Sequence, residues 1–516
     1  MESRPRGQRG HRRFSVRFRH VERGRKWGIR VPKTALEEGL SKWRLGDNEH
    51  NNGRQKQKEE TGRLPLVSVS GNTFLDPFQT YPSSVAAATA GQIVRHAVEI
   101  YWPNFFPGSS LMLDPSTGST IANVWFDSAM RDPTTLHGML YGAASHMRIC
   151  EQAASLEMAV TIRPDRERDR SILDIVSLTI RNIQDVINSR PLVITDGVIM
   201  AAFCLASHPA QRRYERLEWQ TKPPLWNMQW LGFYNDVTIS PGHLQGLGLL
   251  IHARGGLEAI ELPGLAETLS VSGLILATKL LLKPSWPVQL LDRNTAPTLE
   301  RRMECLPWTL DRARVAPFQT ALTPTAMSIL HRLFRYTAFL DIWTKGNDVL
   351  NLKDACNERL LVHHGLMSLP DADTLRASGS AVAPGYEATR LAPIVYSLTV
   401  VFPVPLSSTP YPLLASRIRS ALIDESEALG SSSSLLLWIV VMGGIAAVKT
   451  QERSWYVDML GKVLVDARWS SWEHIHAVLG KMLWLAGFHD VEGYKMWEEW
   501  CGADRLLAEG TEARAL

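Results

Sequence analysis

Residues 166–191 read RERDRSILDIVSLTIRNIQDVINSRP, and their spacing decides the fold class. Ile172, Val176, Ile180, Ile183 and Ile187 recur at steps of three and four, with Asp, Arg, Asn and Gln between them, which is one apolar stripe on an amphipathic helix. The pattern stops before Pro191. Asp196 then stands where an N-cap residue belongs, ahead of GVIMAAFCLA, so the two segments predict a helical hairpin.

The same grammar recurs along the chain. Three times a capping residue precedes a proline at the first helical position: Asp132-Pro133, Ser240-Pro241 and Thr323-Pro324. Proline is tolerated there because that N–H has no partner within the helix. Alternating patterns are scarce, the best being LVSVSG near Leu66 and YSLTVVFPVPL near Tyr396, the second broken by two prolines. The expectation is an all-α fold, a large array of packed helical hairpins.

Charge divides the chain unevenly. The net charge is +4, yet residues 1–66 hold 18 Lys/Arg against 8 Asp/Glu, leaving the remainder net acidic. That segment has too few aliphatic residues to offset the entropy of folding, and it reads as a disordered basic arm. It lacks the apolar stretch of a signal peptide, and Pro5, Gly7, Gly10 and Gly24 interrupt the amphipathic helix of a transit peptide. The expected organisation is an arm over 1–66, a helical domain over 75–505 and a disordered tail over 506–516. Two loop-like stretches, one following Pro284 and one from about Leu369 to Gly385, read as long loops within one assembly. The uncharged run from Leu435 to Val448 is shorter than the roughly 20 residues a bilayer requires, so it reads as a buried core helix and no membrane partner is expected.

Chemistry-bearing motifs are sparse. HLQGLGLLIHARGGLEAI, residues 243–260, has the glycines of a phosphate loop, but Ile251 stands where the dinucleotide fingerprint needs glycine, and no Gly-Lys-Ser/Thr follows. The helical reading fits: Ser240 caps, Pro241 starts, Leu244, Leu247 and Ile251 form a stripe, Arg254 complements the C-terminal dipole, and Gly255 is a left-handed C′ residue. Gly246 and Gly248 are then expected where another helix comes close. His474 and His476 are two apart and point in different directions on a helix; His363 and His364 share the fault. Asp371 and Asp373 read as a solvated turn, and the five cysteines, far apart, as buried thiols. No catalytic, metal-ligating or cofactor-binding residue is expected. The arm places Phe14, Phe18 and Trp27 among eleven arginines and lysines between residues 4 and 30. Arg12, Arg13, Arg17, Arg19, Arg25 and Lys26 are its candidate contacts to nucleic-acid phosphates or to a nuclear-import receptor, and a solvated tail is the third reading.

Three stretches resemble the helical regulatory domain of fungal-specific transcription factors. The first runs from LDPFQTYPSS to SAMRDPTTLHGMLYGAASHM and includes Asp132 and Pro133. The second is the 243–260 stretch, with His243, Gly246, Arg254, Gly255 and Gly256, extended through LILATKLLLKPSWP. The third is LLLWIVVMGGIAAVKTQERSWYVDML with SSWEHIHAVLGKMLWL, similar at Trp438, Gly443, Gly444, Trp455, Trp472 and Trp484. The resemblance implies an all-helical domain, a nuclear location, regulation of RNA polymerase II transcription through partner or self contacts, and no catalysis. The six-cysteine zinc cluster of that family has no counterpart, because no cysteine precedes Cys150; sequence-specific DNA binding is therefore not carried over. The alternatives are an all-α enzyme or small-molecule receptor with an apolar pocket between helices, and an interaction scaffold without a DNA role.

Overall fold

Helices carry the architecture, as the periodicity predicts. The computed structural model describes residues 81, 83–106, 112–114, 119–157, 166–208, 222–234, 241–290, 312–346, 352–405, 410–429 and 433–515. The basic arm with Arg12, Arg13, Arg17, Arg19, Arg25 and Lys26, the LVSVSG pattern and Ser240 lie outside the described residues.

Helix α1 (Ala87–His96) runs into a π-helical turn (Ala97–Tyr101) and the short α2 (Trp102–Phe105). A small antiparallel ribbon, β1 (Met112–Asp114) with β2 (Ser119–Thr120), sets Met112 opposite Thr120 and leads into α3 (Ile121–Arg131). Then follow α4 (Pro133–Glu157), α5 (Arg166–Asn188) and α6 (Asp196–Ser207). Helix α4 is the axis of this half: α1, α3, α5 and α6 all pack on it. Its start is fixed by Asp132, whose carboxylate accepts the backbone N–H groups of Thr134 and Thr135, each at 3.0 Å. Gly138 and Gly142 let α6 approach closely, since a Cβ on Gly138 would lie 2.5 Å from Ala201 Cα and one on Gly142 3.0 Å from Cys204 Sγ.

Two details of the 166–207 reading shift. The buried stripe of α5 is Ile172, Ile175, Thr179, Ile183 and Ile187, while Val176 and Ile180 are only partly buried at its edge. Thr179 is admitted because its hydroxyl bonds back to Ile175 O at 2.8 Å, which removes the cost of burying it. The cap of α6 is Thr195, which accepts from Val198 N, and Asp196 is the first helical residue. Asp196 is thereby free to reach across to α8.

The middle of the chain comprises a 3-10 turn (Met228–Trp230), α7 (Leu231–Tyr234), α8 (Pro241–Arg254), α9 (Leu265–Leu280), α10 (Arg312–Gln319), α11 (Pro324–Thr344), α12 (Leu352–Ser368) and α13 (Ala372–Ala377). Helix α8 ends as expected: Gly255 has φ 109°, Gly255 N donates to His252 O at 3.1 Å and Gly256 N to Ile251 O at 2.9 Å, closing a Schellman motif. Leu247, Leu250 and Ile251 are its buried face. Gly248 corrects the expectation of close approach, because a Cβ there would meet nothing within 4 Å. Thr323 caps α11 at Ala326 N. Asp371 caps α13 through Thr374 N at 2.7 Å and Asp373 pairs with Arg376 on the surface, so a short helix interrupts the stretch expected as loop.

The last third contains α14 (Tyr386–Tyr396), a second π-helical turn (Ser397–Val401), α15 (Pro410–Leu429), α16 (Ser433–Ala446), α17 (Arg453–Ala467), α18 (Trp472–Leu479) and α19 (His489–Ala515). The YSLTVVF alternation is thus helical: residues 397–402 are buried on every side, and alternation carries no information where there is no solvent face. Helix α16 is enclosed by α14, α15, α17, α18 and α19, and its run from Leu435 to Met442 is buried throughout, which explains its lack of polar residues. Among the described residues no helix is long and apolar enough to cross a membrane. Helix α19 continues through Ala515, into the stretch expected as a tail. One contiguous apolar cluster joins these helices apart from α13, from Ala90 to Met496.

Candidate functional site

The short segment from Leu225 to Trp230 is the most strained backbone described, with φ of 53° at Leu225, 58° at Gln229 and 56° at Trp230. Non-glycine residues pay for the left-handed region, so three of them within six positions need support from their surroundings. That support comes from two sides. Trp230 is turned into a cluster of histidines and aromatic rings, and Gln229 into a buried arginine.

The histidine cluster is built by the π turn after α1. Pro103 has no N–H to continue an α-helical ladder and its ring crowds the carbonyl four residues back, which favours the wider turn ahead of it. The turn lays Tyr101 over His146 of α4, with ring centroids 4.4 Å apart, and Trp230 meets the same imidazole edge-on at 4.3 Å. Trp230 Nε1 donates to Tyr101 O at 2.9 Å. His208, just past α6, faces Cys204 O through Nδ1 at 3.0 Å; a carbonyl only accepts, so Nδ1 carries the proton and Nε2 is the acceptor. Around that Nε2 gather the hydroxyls of Tyr234 at 2.7 Å and Tyr101 at 3.2 Å, and the two hydroxyls are 3.2 Å from each other. Tyr141 OH donates to His208 O.

On the other side of His146 lies His96, the last residue of α1, with Nε2 2.9 Å from His146 Nδ1. Cys150 Sγ, one helical turn further along α4, is 3.7 Å from the same Nδ1. One ligand atom from each of His96, His146 and Cys150 falls within 4.8 Å of the others, so among the described residues these three could hold a metal. Burial, reinforced by His96 and His208, pushes His146 down to about 2, so its ring stays neutral. Burial also lowers His96 and pushes the Cys150 thiol up to about 11, Glu151 adding to the second effect. Burial raises the Tyr101 phenol well above its ordinary value.

Gln229 opens the second group. Arg359 of α12 is wholly buried, and its Nη2 donates to Met228 O at 2.9 Å and to Gln229 Oε1 at 2.7 Å. Its Nε and Nη1 have no protein partner. The neighbouring carboxylate does not serve it, because Glu358 is held by Arg332 in a two-bond pair. The ring of Phe402 lies 5.8 Å from the guanidinium carbon, and burial draws the Arg359 pKa down. Asn357, 1% exposed, also has neither amide atom bonded to protein, and it lines a small cavity with Phe105, Phe106, Gln229, Thr268 and Leu360. Buried polar groups are nearly always satisfied, so the Asn357 amide marks the cavity wall as a place for polar atoms from outside the chain.

The positions singled out by resemblance sit elsewhere, in two structural groups. In the first, a Cβ on Gly197 would collide with Asp132 and Thr135, so the starts of α4 and α6 touch, and Asp196 beside it binds Arg254 Nε at 2.9 Å. Gly255 and Gly256 form the corner that carries Arg254 there, Pro133 opens α4, and His243 and Gly246 lie on the early turns of α8. In the second, Trp438 Nε1 donates to Leu483 O at 2.7 Å, and Gly443 and Gly444 leave room for the Tyr456 ring and Met496. His476 pairs with Asp490 at 3.0 Å, His363 is held between Thr278 and Ser397, and His364 faces Trp286 O.

The sequence reading missed His96, Tyr101, His146, Cys150, His208, Tyr234, Asn357 and Arg359. One signal was available: His146 and Cys150 are separated by four on a helix, the spacing of a ligand pair. His96 and His208 carry no local sign, since only the packing of α1, α4 and α6 brings them in. No family model, no curated protein and no solved structure matches this chain.

Proposed function

We propose that the chain is a nuclear regulator of RNA polymerase II transcription that acts by binding other macromolecules through its helical domain and performs no catalysis of its own. The observation that supports this reading is the bonded corner at the start of α6. Asp132 from the first family-like stretch and Arg254 from the second meet the adjacent residues Gly197 and Asp196. Asp132 and Arg254, both from stretches that resemble the fungal-specific regulatory domain, are thus framework residues of one helical corner. Partners are other regulatory proteins or a second copy of the chain, and the arm supplies nuclear import or phosphate contacts through its arginines.

The test compares the intact chain with a variant in which Arg12, Arg13, Arg17, Arg19, Arg25 and Lys26 are all glutamine. Expected outcomes are nuclear accumulation of a fluorescent fusion that the variant loses, or duplex binding that weakens steeply with salt and less steeply in the variant. Identical distribution of the two fusions across nucleus and cytoplasm, together with no salt-sensitive binding by the intact chain, rules the reading out.

A second reading, a receptor for a small polar molecule, draws support from the unsatisfied amide of Asn357 on the cavity wall. It requires a ligand-dependent rise in melting temperature that Asn357→Leu abolishes.

A further inference from the structure

We propose that His96, His146 and Cys150 form a site for a divalent transition-metal ion of the zinc class, a property separate from the regulatory function. Zinc takes imidazole nitrogen and thiolate sulfur at about 2.0–2.1 and 2.3 Å, which sets tetrahedral donors about 3.3–3.6 Å apart. His146 Nδ1 and Cys150 Sγ are 3.7 Å apart, close to the upper end of that separation. His96 Nε2 and His146 Nδ1, at 2.9 Å, need to part by a few tenths of an ångström. All three donors stand on rigid supports: His146 and Cys150 share one face of α4, and His96 is the last residue of α1, which packs on that helix.

The surroundings suit a soft, borderline cation. The Tyr101 and Trp230 rings fix the His146 plane, and the neutral imidazole kept by burial has a lone pair to give. Partial exposure of His96 and Cys150 leaves a way in from solvent. Binding forms two nitrogen–metal bonds and one sulfur–metal bond. The proton shared between the two imidazoles moves to an outward ring nitrogen, the Cys150 S–H bond breaks, and one proton leaves to solvent for each ion bound. Three protein donors leave a fourth position for water or an incoming ligand, the pattern of an open rather than a closed zinc site.

The experiment uses the full chain stripped with a chelator and titrated at pH 7.5 with Zn²⁺ in weak buffer, and with Co²⁺ as the spectroscopic substitute. The expected result is one ion per chain, one proton released per ion, and a thiolate-to-cobalt charge-transfer band. Cys150→Ser removes the band, and His96→Gln, at a partly exposed position, keeps the helical circular-dichroism spectrum while weakening Zn²⁺. Substitution outside the coordination sphere already costs about 10–100-fold, so loss of a ligand costs at least that. Absence of the charge-transfer band in the unaltered chain overturns the proposal, as does Zn²⁺ affinity unchanged in both variants. The band and the proton count are read on the unaltered chain, so they decide the matter even where a variant fails to fold.

Discussion

Asp196 Oδ1 accepts from Arg254 Nε at 2.9 Å while its Oδ2 accepts the backbone N–H groups of Glu261 and Leu262 at 2.7 and 2.8 Å. One carboxylate therefore ties the first turn of α6 to the end of α8 and to the loop that follows. The two partners are unequal, because Arg254 has one good acceptor here and Asp196 has three donors.

Their alanine variants are accordingly expected to differ. Asp196→Ala orphans two backbone N–H groups and a guanidinium and costs about 2–3 kcal/mol, whereas Arg254→Ala, at a partly exposed position, costs about 1 kcal/mol. Denaturant midpoints measure both. Equal losses would mean that the ion pair, and not the backbone N–H groups, dominates.

Two glycines in helices are expected to respond to alanine with opposite signs. At Gly138 the new Cβ lies 2.5 Å from Ala201 Cα, backbone that does not yield cheaply, and the variant loses about 1–3 kcal/mol. At Gly248 nothing lies within 4 Å of the new methyl, and alanine gains about 0.5–1 kcal/mol by restricting the unfolded chain. A destabilised Gly248→Ala would place a neighbour on that face of α8.

Arg468 ends α17 at φ 57°, with Arg468 N on Val465 O at 3.1 Å and Trp469 N on Leu464 O at 2.9 Å. This is the left-handed C′ position of a Schellman motif, occupied by a residue with a Cβ and an exposed side chain. Arg468→Gly is expected to raise stability by about 1 kcal/mol. A lower melting temperature would show that the arginine side chain contributes more than its backbone costs.

How much of this was legible follows from what each element needs. Helix α5 faces solvent on one side, so its stripe was readable to within one residue at each step, and Asp132, Thr323 and Gly255 declared their helix ends by local chemistry. Residues 397–402 have no solvent face, and there periodicity pointed to a strand. The histidine cluster failed for a different reason: His96, His146 and His208 come from separate segments, and their proximity depends on the π turn and on the Gly138 and Gly142 approach. Arg359 reads in sequence like any charge on a helix, beside Glu358, and only the structure shows that Glu358 turns to Arg332.

The buried histidines set the response to acid. Burial holds His146 at about 2 and His363 and His489 at about 3, each far below the 6.5 of an exposed imidazole. His363 and His489 are hydrogen-bonded within the core, to Thr278, Ser397, Thr399 and Leu485 N, and have no room for a solvated cation. Above about pH 7.5 these rings are neutral in both folded and unfolded chains and stability does not change with pH on their account. As pH falls through 6.5 the unfolded chain binds protons that the folded chain refuses, so stability is lost progressively down to the folded values of about 2–3. At pH 5.5 the loss is about 1.4 kcal/mol for each histidine, about 4 kcal/mol for the three, before most carboxylates have begun to titrate. Urea midpoints at pH 7.5, 6.5 and 5.5 give the measurement: a loss of about 1 kcal/mol over the first step and about 3 kcal/mol over the second is expected for the three rings together, and reduced dependence in His363→Gln assigns one share of it. A flat midpoint across this window would mean that these imidazoles reach solvent in the folded chain.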